Sequence, residues 1–342
     1  MRAAVFHGPR DLRIVDVPEP TSPAVGEAIV RVRRAAICGT DAAEWDHGPL
    51  LARPPVTLGH EFTGEIVEAG SSADGFAPGQ RVVSGAGVWC GDCEWCRRGR
   101  TNLCAAYRTL GLHLDGGLAG YVRVPTRTLV AVPDHLSDDA AAIAQPLAVA
   151  LHALRRSGIR PGESCVILGV GGIGGFIVAG AAARGVSPLI AMDVDDRRLA
   201  TATSIGATAA VNVRDRDLVE AIRAATDGVG PYVIIEATGA PHAPAAAIAA
   251  VKRGGRILLV GLQGAPRELD LLRATVNEVE ITTTLAHVCG QDLPEAVAVL
   301  ATTDVAARTI GPTIALGDVV ERGIRLLAER TATGKILVDP WA

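Results

Sequence analysis

Apolar and polar positions change rhythm twice along this chain. Up to about residue 133 the apolar runs are short and strand-like: Val5-Phe6, 14–17, the alternating Ala28-Ile-Val-Arg-Val-Arg33, 62–69, 80–83, 118–124 and 129–132. Gly26, Gly59, Gly70, Pro78-Gly79, Pro125 and Pro133 punctuate them at the short intervals of a small, barrel-like β domain. At Ser137-Asp-Asp the pattern turns helical, with Ser137 as N-cap and acids in the first turn. Pro146 restarts or kinks this segment, which runs to Arg156 and stops at Gly158.

From Ser164 strand and helix alternate. The runs 165–168, 188–192, 209–213, 232–237, 256–261 and 279–284 read as buried strands, and 173–184, 195–205, 216–226 and 242–252 as helices. Six strands with crossover segments predict an α/β doubly wound parallel sheet. After Val288 the alternation ends: 293–302 and 318–329 predict helices, and Lys335-Ile-Leu-Val-Asp339 a late strand. The tail is expected to return to the first domain. That places one domain at 1–153 with 290–342 and an inserted one at 154–289.

The turn after the first strand of the alternating region carries candidate chemistry. Cys165-Val-Ile-Leu168 is followed by Gly169-Val-Gly171-Gly172-Ile173-Gly174, so Gly169, Gly171 and Gly174 hold the G-x-G-x-x-G spacing. The first glycine makes the turn, the second admits a pyrophosphate, and the third lets helix and strand pack closely. The helix start offers free N–H groups to phosphates. The next strand ends in Asp193, nineteen residues past Gly174, where a carboxylate binds the adenosine ribose hydroxyls. An ordinary turn and a solvated acid are the plain alternatives. Residues 164–183 are uncharged and long enough for a membrane span, but glycines crowd their start and no membrane-type flanks surround them.

Bulk composition narrows the class. The 342 residues allow two domains, and 49% hydrophobic residues supply a large core. A net charge of −4 gives no reason to invoke nucleic acid or an anionic membrane. The N-terminal residues lack a signal-like apolar run, so a cytoplasmic protein with reduced thiols is expected.

Four of the seven cysteines cluster as Cys90-x2-Cys93-x2-Cys96-x7-Cys104. Four thiolates this close predict a closed, structural tetrahedral zinc shell, and a loop about 88–106 that depends on it for order; four unrelated thiols, or a redox pair in Cys90 and Cys93, are the plain alternatives. A second group is sparser: Cys38-Gly39-Thr40-Asp41, then Gly59-His60-Glu61. One thiolate, one imidazole and one carboxylate suit an open catalytic zinc site, but a buried cysteine and an ordinary histidine fit the spacing equally well. His60 and Glu61 are adjacent. Both reach one metal only if the backbone turns there; on a regular strand Glu61 would face away.

These motifs, with Gly334-Lys-Ile-Leu-Val338, closely resemble the zinc-containing medium-chain alcohol dehydrogenases, in the family's order and nearly end to end. Glu44-Trp45, Gly116-Gly-Leu-Ala-Gly-Tyr121 and Gln145-Pro-Leu-Ala-Val-Ala-Leu-His-Ala153 are most similar to the butanediol, threonine and sorbitol (polyol) dehydrogenase branch. The resemblance implies a GroES-like catalytic domain, a Rossmann domain and a cleft between them. It implies catalytic zinc on Cys38, His60 and Glu61, structural zinc on Cys90, Cys93, Cys96 and Cys104, and Thr40 bonded to the substrate oxygen. Asp193 and Arg198 would hold the adenosine ribose, with NAD preferred over NADP. The partners implied are a small alcohol or ketone and a second copy of the chain, as homodimer or homotetramer.

Two departures touch the chemistry. Gln145 stands where the branch usually carries glutamate beside the zinc, and Ala43 where many relatives carry a relay histidine; His47 is nearby in another register. The expected activity is hydride transfer between NAD(H) and a secondary hydroxyl of a polyol, diol or cyclitol-like substrate. The alternatives are a zinc-bearing reductase of an activated C=C or C=N bond, and a catalytically silent NAD-binding protein. Trp45, Leu50, His113 and Leu114 are candidate pocket residues, each equally consistent with plain packing.

Overall fold

The computed structural model describes residues 1–73 and 75–342. The chain divides into two compact units, Met1–Ala148 with Val288–Ala342, and Val149–His287. The first division falls inside one helix, five residues before the boundary expected from the sequence, because no break in composition marks it.

The first unit starts with β1 (Arg2–Gly8), β2 (Asp11–Asp16), β3 (Glu27–Ala36), α1 (Gly39–His47), β4 (Val56–Thr57) and β5 (Glu61–Ala69). It continues through β6 (Arg81–Ser84), β7 (Gly87–Val88), α2 (Glu94–Arg97), β8 (Arg108–Thr109), β9 (Tyr121–Pro125), β10 (Leu129–Ala131) and α3 (Asp138–Ala142). Helix α4 (Ala144–Ser157) carries the chain onward, with Pro146 in its first turn, where a missing N–H costs nothing.

The second unit runs β11 (Cys165–Leu168), α5 (Gly172–Ala183), β12 (Leu189–Asp193), α6 (Asp196–Ser204), β13 (Ala209–Asn212) and α7 (Leu218–Ala224). It ends with β14 (Val233–Glu236), α8 (Ala243–Ala250), β15 (Arg256–Leu259), α9 (Leu271–Val276) and β16 (Glu280–Thr283). The tail adds α10 (Cys289–Thr302), α11 (Val305–Thr309), β17 (Ile310–Ala315), α12 (Arg325–Ala328) and β18 (Lys335–Asp339).

Three pairings around β3 position the chemistry. The main sheet of the first unit runs β10-β6-β5-β3-β18-β17, with β9 also on β3. Strand β5 pairs antiparallel with β3, setting Glu61 opposite Ala36. On the other side β18 pairs antiparallel with β3, setting Leu337 opposite Ala36. The first residues of β5 and β18 therefore arrive where β3 runs out into Cys38. Phe6, Val30, Ile37, Leu58, Phe62, Leu118 and Ile336 pack the core beneath this point.

In the second unit all six strands are parallel, in the order β13-β12-β11-β14-β15-β16. The order reverses between β11 and β14, the switch point where such sheets hold dinucleotides. This is the doubly wound architecture expected from the alternation.

The sequence reading misses α1, α2, α9, α11 and β17, and the two-residue strands β4, β7 and β8. Helix α1 reads Gly-Thr-Asp-Ala-Ala-Glu-Trp-Asp-His, with no apolar stripe, and β17 contains Gly311-Pro312, which looks like a turn. The expected strand 118–124 starts only at Tyr121, because 116–118 bond instead to the backbone of Thr57, Gly59 and Leu58. The expected helix 318–329 is a π-helical stretch, Val319–Ile324, followed by α12. Among the described residues no helix is long and apolar enough to cross a membrane.

Candidate metal and cofactor sites

Cys38 is the N-cap of α1, so its sulfur sits at the positive end of a helix dipole. Asp41, in the first turn, accepts the Cys38 N–H at 2.9 Å through Oδ2, and its Oδ1 faces His60 Nδ1 at 3.7 Å. His60 lies just before β5, and Gly59 makes the turn that aims it. Gly59 has φ +97°, and a Cβ there would meet Leu118 N at 2.6 Å. One ligand atom each from Cys38, His60 and Glu61 lies within 4.8 Å of the others. The backbone turn at 59–60 is what lets adjacent side chains converge.

The electrostatics fit a dication. With Cys38 as the thiolate that metal binding requires, Cys38 and Glu61 bring two negative groups, while burial raises the Asp41 pKa and favours its neutral form. One largely enclosed base stands beside them: Lys335 Nζ lies 2.5 Å from Glu61 Oε2. Burial alone would lower the His60 pKa, yet Cys38, Asp41 and Glu61 push it up to about 10. Burial also disfavours charged Lys335, and Glu61 and Cys38 outweigh it, raising the lysine above its ordinary value. The buried Asp41 Oδ1 and His60 Nδ1 lack any hydrogen bond. Asp41 faces Nδ1 at 3.7 Å without bonding to it. The donor set suits zinc.

Thr40 Oγ1 lies 3.6 Å from Cys38 Sγ on the half-exposed rim of this cluster. Gln145 is buried in the first turn of α4. Ala43 offers no relay group. His47 does not replace it: its side chain is 74% exposed and faces Asp46 at 3.4 Å. Trp45 belongs to the core, Leu114 packs against it, Leu50 is exposed, and His113 accepts the Thr109 N–H at 3.0 Å. Lys335 is the site residue that sequence reasoning misses; its terminal motif is visible, its chemistry is not.

The four-cysteine lobe is equally explicit. Sulfur–sulfur distances are 3.5 Å for Cys93–Cys96 and Cys90–Cys104, and 3.9 Å for Cys90–Cys96. Tetrahedral zinc with Zn–S near 2.3 Å requires edges of about 3.8 Å. Backbone N–H groups of Cys93 and Ala106 point at Cys90 and Cys104 sulfurs, at 3.4 and 3.3 Å. The Ala105 N–H and its neighbours hold the Cys93 thiol down at about 6.

In the second unit Gly169 has φ +81°, and a Cβ on Gly174 would lie 1.8 Å from Gly169 O, so neither position tolerates a side chain. Gly171 caps α5, and Gly172 and Ile173 open its first turn. Asp193 ends β12 and is tied to this turn: Oδ2 accepts Val170 N–H at 2.9 Å, and Oδ1 accepts those of Val194 and Asp195 at 2.8 and 3.1 Å. Arg198 Nη1 stands 3.9 Å from Asp193 Oδ1, and 3.6 Å from the place a Cβ on Gly171 would take. Free helix N–H groups, glycine turn, acid and guanidinium thus surround one rim, a donor set that fits a dinucleotide.

The alcohol dehydrogenase GroES-like domain matches residues 24–134, and the zinc-binding dehydrogenase domain matches 172–302. The chain is 37% identical to sorbitol dehydrogenase of Bacillus subtilis strain 168, over 77% of this chain and 75% of that one. Its structure is similar to that of a protein described as a zinc-binding dehydrogenase from Sinorhizobium meliloti 1021, bound to NADP, with TM-score 0.91, 32% identity and 99% of both chains covered. It is similar also to an alcohol dehydrogenase from Escherichia coli CFT073 complexed with NADH, with TM-score 0.92, 28% identity and 99% of both chains covered.

Proposed function

The chain belongs to the zinc-containing medium-chain alcohol dehydrogenases, in their polyol branch, and from that premise we propose that it oxidises a secondary hydroxyl of a polyol, diol or cyclitol-like substrate. The observation carrying this reading is the convergence of Cys38, His60 and Glu61 beside Thr40. Zinc held by those three residues supplies Lewis acidity, and the nicotinamide exchanges hydride. Thr40, half exposed and able to donate and accept, orients the substrate oxygen and holds its proton. Asp41 bonds the Cys38 N–H and places a carboxyl group beside the His60 ring. The lobe of Cys90, Cys93, Cys96 and Cys104 holds a second, structural zinc. The sorbitol dehydrogenase relative supports a polyol over a simple alcohol. The test is NAD reduction by a panel of polyols, diols and cyclitols, before and after removal of zinc. Turnover of enones or imines alone would favour the reductase alternative, to which the missing relay group at Ala43 matters less.

The cofactor preference is read from Asp193. Its carboxylate suits two ribose hydroxyls and repels a 2′-phosphate. NAD is expected to exceed NADP in kcat/KM by about ten-fold or more, about 1.4 kcal/mol of differential binding. Asp193→Asn, which removes the charge and keeps one acceptor oxygen of the two that the backbone N–H groups now use, should narrow that ratio. Equal or better kinetics with NADP in the unaltered enzyme would sink the assignment.

A homo-oligomer is proposed through β16. It is the edge strand of the parallel sheet, and Ile281 on it and Leu271, Leu272 and Val276 on α9 are exposed. An unprotected apolar edge is a ready surface for a second copy. Ile281→Lys is expected to shift the elution volume toward the monomer in size-exclusion chromatography. An unchanged elution volume would place the interface elsewhere.

A further inference from the structure

The last strand brings a cation to the metal cluster from the opposite end of the chain. Ile37 donates its N–H to Ile336 O at 3.1 Å, which lodges Lys335 beside the Cys38 end of β3. The lysine side chain is 12% exposed and Glu61 1%, and they meet at 2.5 Å. Burying an ammonium is costly unless an anion compensates it. Here the compensating anion is itself a candidate metal ligand. Lys335 Nζ stands against Oε2 of the same carboxylate that comes within 4.8 Å of Cys38 and His60.

We propose that Lys335 is a positioning residue that shares Glu61 with the metal, weakening the carboxylate as a ligand and keeping a place open for substrate. This rests on the zinc dehydrogenase reading. Without the lysine charge, Glu61 belongs wholly to the metal and the cluster carries one more negative charge. The metal is then held at least as tightly, and turnover falls. A lysine that merely held the fold together would act in the opposite direction, since its loss would loosen the site and release the metal.

The experiment uses the zinc-loaded full chain with Lys335→Met, Lys335→Gln and Lys335→Arg. It measures the rate of catalytic-metal loss to a chelator, the absorption spectrum after cobalt exchange, and kcat/KM. Lys335→Met is expected to lose metal no faster than the unaltered protein, to shift the cobalt bands, and to lower kcat/KM by about 10–100-fold. Lys335→Arg should stay close to the unaltered protein in all three. Faster metal loss from Lys335→Met, with activity restored by added zinc, overturns the proposal. So does unaltered turnover in Lys335→Gln, which keeps a polar side chain beside Glu61 without the charge and guards against a Met variant that fails to fold. Absence of zinc-dependent turnover in the unaltered protein would instead sink the dehydrogenase reading, and the cobalt spectra would still report the Lys335–Glu61 clamp.

Discussion

Cys38→Ser is expected to lower kcat/KM by at least about a thousand-fold, about 4 kcal/mol of transition-state stabilisation, while leaving the fold intact. The two halves of this expectation have separate causes. A serine hydroxyl does not ionise at neutral pH and is a poor zinc donor, so the three-residue set of Cys38, His60 and Glu61 loses its thiolate. The charge balance shifts as well, because the negative charge of the thiolate is lost. The helix itself is not disturbed. Cys38 is an N-cap with extended backbone, φ −92° and ψ 152°, and serine is among the residues preferred there. The Asp41 bond goes to the Cys38 backbone N–H, which the substitution keeps. Metal analysis should show zinc falling by one equivalent per chain, circular dichroism and melting temperature should change little, and turnover should vanish. Full activity in this variant would mean that the cluster is not a catalytic metal site.

Cys93→Ser should do the reverse, damaging stability before chemistry. Every residue of α2 is exposed or half-buried, and Arg97, Arg98 and Arg100 face water around it. No core orders this lobe locally. Structural zinc in comparable peptides contributes about 10–16 kcal/mol of binding free energy that doubles as folding free energy. Losing one of four thiolates is therefore expected to cost more than about 4 kcal/mol, in the range reserved for metal loss and similar events. A sharply lower melting temperature should accompany trypsin cleavage after Arg97, Arg98 and Arg100 under conditions that leave the unaltered protein whole. A variant that keeps its full zinc content and resists trypsin would show that the lobe folds without this ligand. Run together, the two serine variants separate the sites: one loses turnover and keeps its melting temperature, and the other loses stability first.

Local pattern carries a large part of this molecule. The six parallel strands appear where short apolar runs alternate with helical segments, because strand and helix periods are properties of a few consecutive residues. The glycine turn is legible for the same reason: Gly169 needs a positive φ and Gly174 has no room for a Cβ, and both demands act within six residues. The four cysteines are legible because fifteen residues hold them all, too short a loop to keep them apart. Tertiary pairing decides the rest. Whether Glu61 meets Cys38 and His60 depends on the turn at Gly59 and on the register that sets Glu61 opposite Ala36. Nothing within a few residues of His60 states that register. Lys335 lies 274 positions after Glu61 in the chain, and only the antiparallel placement of β18 on β3 brings its charge to the cluster. The missed helix α1 has the same origin: its nine residues lack an apolar stripe, so what holds it is the Asp41 bond at its start and its packing on the first unit's core. Sequence by itself determined which groups this protein can offer to a metal and a dinucleotide. The long-range pairing of β3 with β5 and β18 decided which of them meet, because a strand's partners are chosen by burial across the whole sheet and not by its own residues.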